Sequence, residues 1–306
     1  WFGNYVTCAT WNDIWLNEGF ASYLEYIALQ NIESQNSADN WINDAHTETM
    51  SQSGGSVFAS WGSYRLMYKK AASIIHILRY EINNDSLFYA VLRNYLSTYA
   101  FSNSTTDDFK QVAETTTGMD FTDFFNQWYY GEGYPSFHIN WNQNNDSLII
   151  LSNQITSTST TPLFKTHFDV KINYLAGDTI IRLFQGSNNE IYKIYFPDFV
   201  TSIEVDPNFW LIQKSFINTG IVENNNSLFF SVFPNPAKDK ITISVKQENV
   251  LHNTTVSVFN LQGELLLRQQ IQQKTTELDL SSLAKGVFVL KFNSNNKTEV
   301  AKIVKE

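Results

Sequence analysis

Two short strings carry side chains of a kind that could do chemistry. In Trp11-Asn12-Asp13-Ile14-Trp15-Leu16-Asn17-Glu18-Gly19-Phe20-Ala21, Glu18 places a carboxylate near the start of an apolar run. Such a carboxylate has two ordinary uses: it is favoured by the positive end of a helix dipole, or it ligates a metal. Glu25, two turns on and on the same face, is either a plain surface charge or a support for a metal ligand at Glu18. In Met67-Tyr68-Lys69-Lys70-Ala71-Ala72 a phenol stands beside two lysines, with Tyr64 one turn earlier as its competitor. A tyrosine on an apolar helix is ordinarily core. The histidines, His46, His76, His138, His167 and His252, are scattered, and none has another four residues away. The two-imidazole pair of one helix face is therefore missing from these residues.

The elements that must position these groups follow from periodicity. Residues 1 to about 134 read as helical, with runs Trp11 to Gln30, Ser63 to Ile82, Ser86 to Tyr99 and Phe121 to Tyr130. Another begins after Thr105-Thr106, whose hydroxyls can cap free amides. Gly131-Glu132-Gly133-Tyr134-Pro135 is a stop signal. From Ser136 the period becomes two, predicting strands over Phe137–Trp141, Ser147–Ile155, Thr166–Tyr174, Asp178–Phe184, Ile191–Phe196 and Ser202–Val205. They predict a small β-sandwich over 136–217. Residues 218–227, with Glu223-Asn224-Asn225-Asn226, read as a linker. A second all-β unit, 228–306, is expected to hold strands Lys240–Lys246, Thr254–Asn260, Glu264–Gln270, Thr276–Leu280, Val287–Phe292 and Thr298–Val304.

Bulk properties limit the alternatives. At 306 residues the chain exceeds one ordinary domain. With 43% hydrophobic and 15% aromatic residues it is of folded, not disordered, composition. A net charge of −9 argues against nucleic acid and anionic lipid as partners. No stretch approaches the roughly 18 apolar residues of a membrane span. The single cysteine, Cys8, makes no internal disulfide.

The string Trp1-Phe2-Gly3-Asn4 followed by Asn17-Glu18-Gly19-Phe20-Ala21 resembles the aminopeptidase N-like zinc metallopeptidases, or gluzincins. In that family one helix carries H-E-x-x-H, and the Glu of NEGFA, eighteen residues beyond the second His, is the third zinc ligand. The resemblance makes Glu18 that ligand. It also puts the second His two positions before Trp1, so the chain is expected to begin downstream of the motif, as an amino-terminally truncated fragment. Met67 to Ala72 resembles the family's Tyr-x-Lys-Gly-Ala segment, with Ala71 in place of its Gly. This implies that Tyr68 donates a hydrogen bond to the oxyanion, a role typically worth ~2.7–4 kcal/mol. Thr105 to Phe109 and Phe124 to Pro135 are similar to the family's last catalytic-domain helices and its turn into a small β-domain. The family's Gly-x-Met-Glu-Asn segment, which binds a substrate's free amino terminus, is absent here.

Val232-Phe233-Pro234-Asn235-Pro236-Ala237, Val256 to Gly263, Leu278 to Leu283, Lys285 to Leu290 and Lys302-Ile303-Val304-Lys305 resemble a type IX secretion sorting domain. The bland reading is an ordinary immunoglobulin-like or carbohydrate-binding sandwich. The resemblance implies a Bacteroidetes-type bacterium, export across the outer membrane, and the type IX machinery as a partner of 228–306. Pro-Asn-Pro is expected to open an edge strand.

Together these imply a multidomain α and all-β chain: the helical part of a gluzincin catalytic domain (1–134), a small β-sandwich, and an immunoglobulin-like sorting domain. The implied function is a secreted or surface-attached zinc metallopeptidase acting on peptide substrates, with one zinc ion. Its metal residue here is Glu18 and its catalytic residue Tyr68. The chain alone is expected to be inactive. The rival is a non-catalytic surface or scaffold protein that keeps a peptidase fold.

Overall fold

The structure, a computed structural model, describes residues 1–144, 146–174, 176–218, 230–245, 254–260, 263–294 and 297–306. The chain divides into two compact units, Trp1–Thr219 and Gly220–Glu306. The expected linker 218–227 lies almost wholly outside the described residues, as does His252.

The first unit opens with a short strand β1 (Val6–Cys8) and a single 3-10 turn (Trp11–Asp13), then helix α1 (Trp15–Ile32). The apolar run from Trp11 thus starts as a tighter turn before the regular helix. Helix α2 (Gln35–Thr49) was not expected from periodicity. Its sequence is polar, and it is held by a Ser34 cap on the Ser37 amide at 3.1 Å and by burial of Ala38, Ile42 and Ala45. The expected helix from Ser63 to Ile82 is two pieces: a wide π-helical turn over Arg65–Lys70, then α3 (Ala71–Ile82). Helix α4 (Asp85–Thr98) is capped by Asn84, and the short strand β2 (Ser102–Ser104) pairs parallel with β1.

Helix α5 (Thr106–Thr117) starts on a reciprocal cap. The Thr105 hydroxyl accepts from the Asp108 amide at 3.2 Å, and the Asp108 carboxylate accepts from the Thr105 amide at 2.8 Å. The last helical stretch is one turn, α6 (Thr122–Phe124), continued by a second π-helical turn over Phe125–Tyr129.

Among the described residues, seven strands follow in this unit: β3 (Pro135–Asn144), β4 (Ser147–Thr156), β5 (Thr166–Tyr174), β6 (Gly177–Gln185), β7 (Asn189–Tyr195), β8 (Val200–Val205) and β9 (Lys214–Asn218). They form two sheets, in the orders β7-β4-β3-β9 and β6-β5-β8. Strand β9, unexpected from the sequence, pairs parallel with β3. The Phe137 and Phe168 rings stack at 4.9 Å between the sheets, and the apolar core runs on without a break from helices into strands. Tyr80 of α3 donates to Asp169 of β5 at 2.7 Å, fixing that junction.

The second unit has its own core around Ile241, Ile243, Val256, Val258, Leu290 and Phe292. Its strands are β10 (Phe230–Phe233), β11 (Lys240–Val245), β12 (Thr254–Phe259), β13 (Leu265–Ile271), β14 (Thr275–Asp279), β15 (Gly286–Ser294) and β16 (Lys297–Lys305). Their orders are β10-β11-β14 and β13-β12-β15-β16. Pro234-Asn235-Pro236 follows the edge strand β10 and leads to the central strand β11, so it ends an edge strand where it was expected to open one. The reason is Asn235: its side chain donates to the Lys302 carbonyl at 2.8 Å and accepts from the Val304 amide at 2.9 Å, bonding this turn to β16.

Candidate active site

The first turn of α1 is held in place by a buried polar knot. The Asp13 carboxylate, 6% exposed, accepts from the Thr106 amide and hydroxyl, both at 2.8 Å, and from the Thr10 hydroxyl at 2.6 Å. The same Thr106 hydroxyl accepts from the indole of the fully buried Trp15 at 2.8 Å. The Tyr129 hydroxyl donates to the Asn12 carbonyl at 2.9 Å. Charge-assisted bonds to a carboxylate are among the stronger ones, so the starts of α1 and α5 are tied together. Asn17 does not turn toward Glu18. Its side chain accepts from the Cys8 amide at 3.1 Å and donates to the Cys8 sulfur at 3.4 Å, joining α1 to β1.

Glu18 therefore lies half-buried in the first turn of a well-anchored helix, where unpaired amides favour negative charge. Gly19, next to it, is buried against Ala71. That contact brings the wide turn over Arg65–Lys70 beside Glu18, and the turn carries Tyr68. Tyr68 is near enough to Glu18 to feel its charge. Burial first, then the charge and hydrogen-bonding influence of Glu18, and least Tyr64, raise its pKa above the ordinary phenol value. Tyr64, 59% exposed, packs its ring 5.4 Å from that of Tyr68. Cys8 is also near. Burial, then the Asp13 charge and less strongly Glu18, raise its thiol above the usual value.

The other candidates are elsewhere. Glu25 is exposed and accepts from the Trp41 indole at 2.9 Å, so it fastens α1 to α2. His46 and His76 are buried, with ring centroids 6.3 Å apart, and burial drives both pKa values down, to about 3 for His46. His138 stacks on Phe216, and His167 pairs with Glu81 at 2.6 Å. Among the described residues no group of three or more His, Cys, Asp or Glu is placed to hold a metal ion. What these residues offer a metal is one carboxylate, Glu18, with a protonated phenol beside it.

Sequence reasoning gave no role to Asp13 or Arg65, and it read Lys70 only as a flank of Tyr68 and Thr106 only as a helix cap. Asp13 and Thr106 lie 93 positions apart, and nothing local signals their meeting. A π-helical turn differs from an α turn by one residue, which a short periodic pattern does not resolve. Such turns are rare and occur often at functional sites.

Residues 1–128 match the model of the peptidase family M1 domain, and residues 231–306 that of a secretion system C-terminal sorting domain. The chain is 27% identical over 194 residues to aminopeptidase A of Gloydius brevicauda, covering 58% of this chain and 20% of the relative. It is 30% identical over 151 residues to aminopeptidase M1-B of Oryza sativa subsp. japonica, covering 44% and 17%. It is 27% identical over 154 residues to aminopeptidase N of Lactococcus lactis subsp. lactis, covering 44% and 18%. The chain thus spans about a fifth of the curated relatives it matches. In fold it is similar to Legionella pneumophila aminopeptidase A solved with aspartic acid, with a TM-score of 0.57 and 12% identity over 72% of this chain and 26% of that one. Residues 1–128 belong to peptidase family M1, and residues 231–306 are a type IX secretion sorting domain that marks the chain for the cell surface or beyond.

Proposed function

We propose that these 306 residues are part of a secreted zinc metallopeptidase that hydrolyses peptides from the amino terminus. Glu18 is its carboxylate ligand and Tyr68 its donor to the substrate's carbonyl oxygen. The observation that carries this reading is the pairing of Glu18 with Tyr68. A phenol hydroxyl beside the ligand carboxylate can donate a hydrogen bond to the carbonyl oxygen as charge builds on it. Zinc, when bound, supplies the Lewis acidity that polarises that carbonyl. Glu18 lies in the first turn of α1, and Gly19 keeps α1 close enough to bring carboxylate and phenol to one place. No H-x-x-x-H occurs in this sequence, so the two imidazoles and the general base belong to residues outside it, and the 306 residues alone do not hydrolyse peptides.

The proposed division is 1–134 as the helical part of the catalytic domain, 136–217 as a small β-sandwich, 218–227 as a linker, and 228–306 as an immunoglobulin-like sorting domain that engages the type IX machinery of a Bacteroidetes-type bacterium. A non-catalytic scaffold that keeps the peptidase fold is the second reading. Release of amino acid from an aminoacyl anilide separates the two. The parent protein with its upstream sequence is expected to be active and to lose activity to a chelator, while the 306 residues are silent. Chelator-insensitive turnover, or full activity of the 306 residues, would overturn the zinc-peptidase reading.

A further inference from the structure

We propose that Lys70 is a positioning residue for Tyr68, acting through the wide helical turn that both residues share. This rests on the reading of Tyr68 as the hydroxyl donor beside Glu18.

The turn over Arg65–Lys70 has a buried cation at each end, Arg65 at 8% and Lys70 at 1% exposure. Burying an ammonium or guanidinium is costly unless its donors are satisfied. Here they are satisfied by main-chain carbonyls. Arg65 donates to the Thr49 carbonyl at 2.7 Å and the Gly54 carbonyl at 2.8 Å. Lys70 donates to the Gly55 carbonyl at 2.7 Å and more weakly to the Gly131 carbonyl at 3.5 Å. Both ends of the turn are therefore clamped to one segment, 49–55.

That segment is shaped for close approach. Gly55 has φ +97°, and a Cβ there would stand 2.8 Å from Leu66 Cδ1 and 2.9 Å from Arg65 Nη2. An aliphatic side chain would fill the Lys70 site without the cost of burying a charge, whose burial beside Arg65 pulls its pKa down to about 7. Retaining a charge with such directed bonds points to a geometric task.

The task follows from helix geometry. A π-helical turn holds about one residue more than an α turn. Relaxing it to α geometry rotates one end against the other by about 100°, the angular step of one helical residue. Ala71 cannot take up that rotation, because it is packed against Gly19. Tyr68, inside the turn, would move instead, and its hydroxyl would leave Glu18. Lys70, clamped at the end of the turn beside Ala71, opposes that relaxation.

The test uses the full chain with 3-fluorotyrosine at position 68 alone, read by 19F NMR. With Lys70 present, Glu18→Gln is expected to shift the resonance. In Lys70→Met that response is expected to be lost, and in Lys70→Arg, which keeps a cationic donor, to return at least in part. A purely structural role would lower the melting temperature of Lys70→Met and leave the response to Glu18→Gln intact; that result overturns the proposal. If Glu18→Gln shifts nothing even with Lys70 in place, the pairing of Tyr68 with Glu18 is itself wrong. Should Lys70→Met lack native far-UV circular dichroism, Lys70→Gln carries the same expectation and the same overturning result.

Discussion

A Cβ placed on Gly19 would stand 2.7 Å from the Cβ of Ala71 and 3.2 Å from its main-chain carbonyl carbon, so α1 and α3 meet almost backbone to backbone. The contact lies one residue after Glu18 and three after Tyr68, and the separation of those two side chains depends on it. Alanine is the better helix former by up to ~1 kcal/mol, so propensity alone would make Gly19→Ala stabilising. The overlap is with a Cβ and a main-chain atom, neither of which can swing aside. Overpacking of this kind typically costs ~1–3 kcal/mol. We expect Gly19→Ala to lower the urea midpoint of the first unit, read by tryptophan fluorescence. Adding Ala71→Gly removes the opposing Cβ and is expected to recover part of the loss. Purely additive effects of the two substitutions would show that the contact is not what limits their approach.

Tyr68→Phe removes one hydroxyl and little else from a half-buried site. In the zinc-loaded parent protein, loss of a donor to the developing oxyanion is expected to lower kcat by about 100- to 1000-fold. KM should change little, since the bond is strongest in the transition state. Zinc content, measured on the same sample, is expected to stay constant. Unchanged turnover would remove Tyr68 from the chemistry.

The strings around Glu18 and Tyr68 were legible because they are contiguous, and Thr105 announced its own helix through a local cap. Strands with one face in the core, such as β4, were legible through strict alternation. Helix α2 was not, because its buried face is made largely of Ala38, Ala45 and Thr49, with Ile42 its one large aliphatic. What holds α2 is docking against α1, including the bond from Trp41 to Glu25, and docking leaves no periodic mark. Strand β9 was missed because its pairing with β3 spans some eighty residues of intervening chain. The pairing of phenol with carboxylate became visible only when Gly19 and Ala71 were seen in contact.

His46 gives the first unit a pH dependence whose sign can be worked out. Its folded-state pKa is lowered to about 3 by burial, against about 6.5 in an unfolded chain. Between those values the unfolded chain binds a proton that the native one refuses. Stability therefore falls as pH drops below about 6.5 and is unaffected above it, by up to ~1.4 kcal/mol per pH unit. His76, lowered by burial, then by His46 and Arg79, adds to the same trend. We expect the urea midpoint to decline between pH 6.5 and 4.5, and His46→Leu to flatten the decline. An equal slope in wild type and variant would show that another group sets the acid limit.

Lys305 of β16 presents a similar problem in the second unit, with a measurement that isolates it. The residue is 7% exposed, and its ammonium donates to the Leu283 carbonyl at 2.6 Å, the Leu280 carbonyl at 2.7 Å and, more weakly, the Ser281 carbonyl at 3.4 Å. Asp239 lies 3.7 Å away. The segment 280–283 is thereby fastened to the last strand. Hydrogen bonds to a charged group contribute about 1.5–3 kcal/mol each. Lys305→Met keeps the aliphatic stem and deletes the head, and is expected to cost ~2–4 kcal/mol, allowing for water at the freed carbonyls. The sequence supplies a built-in control: its eight tryptophans, at 1, 11, 15, 41, 61, 128, 141 and 210, all precede residue 220. Tryptophan fluorescence therefore follows the first unit alone, while far-UV circular dichroism follows both. In urea, Lys305→Met is expected to advance a circular dichroism transition and leave the fluorescence transition where it was. A shift of both by the same amount would mean that the two units do not unfold independently.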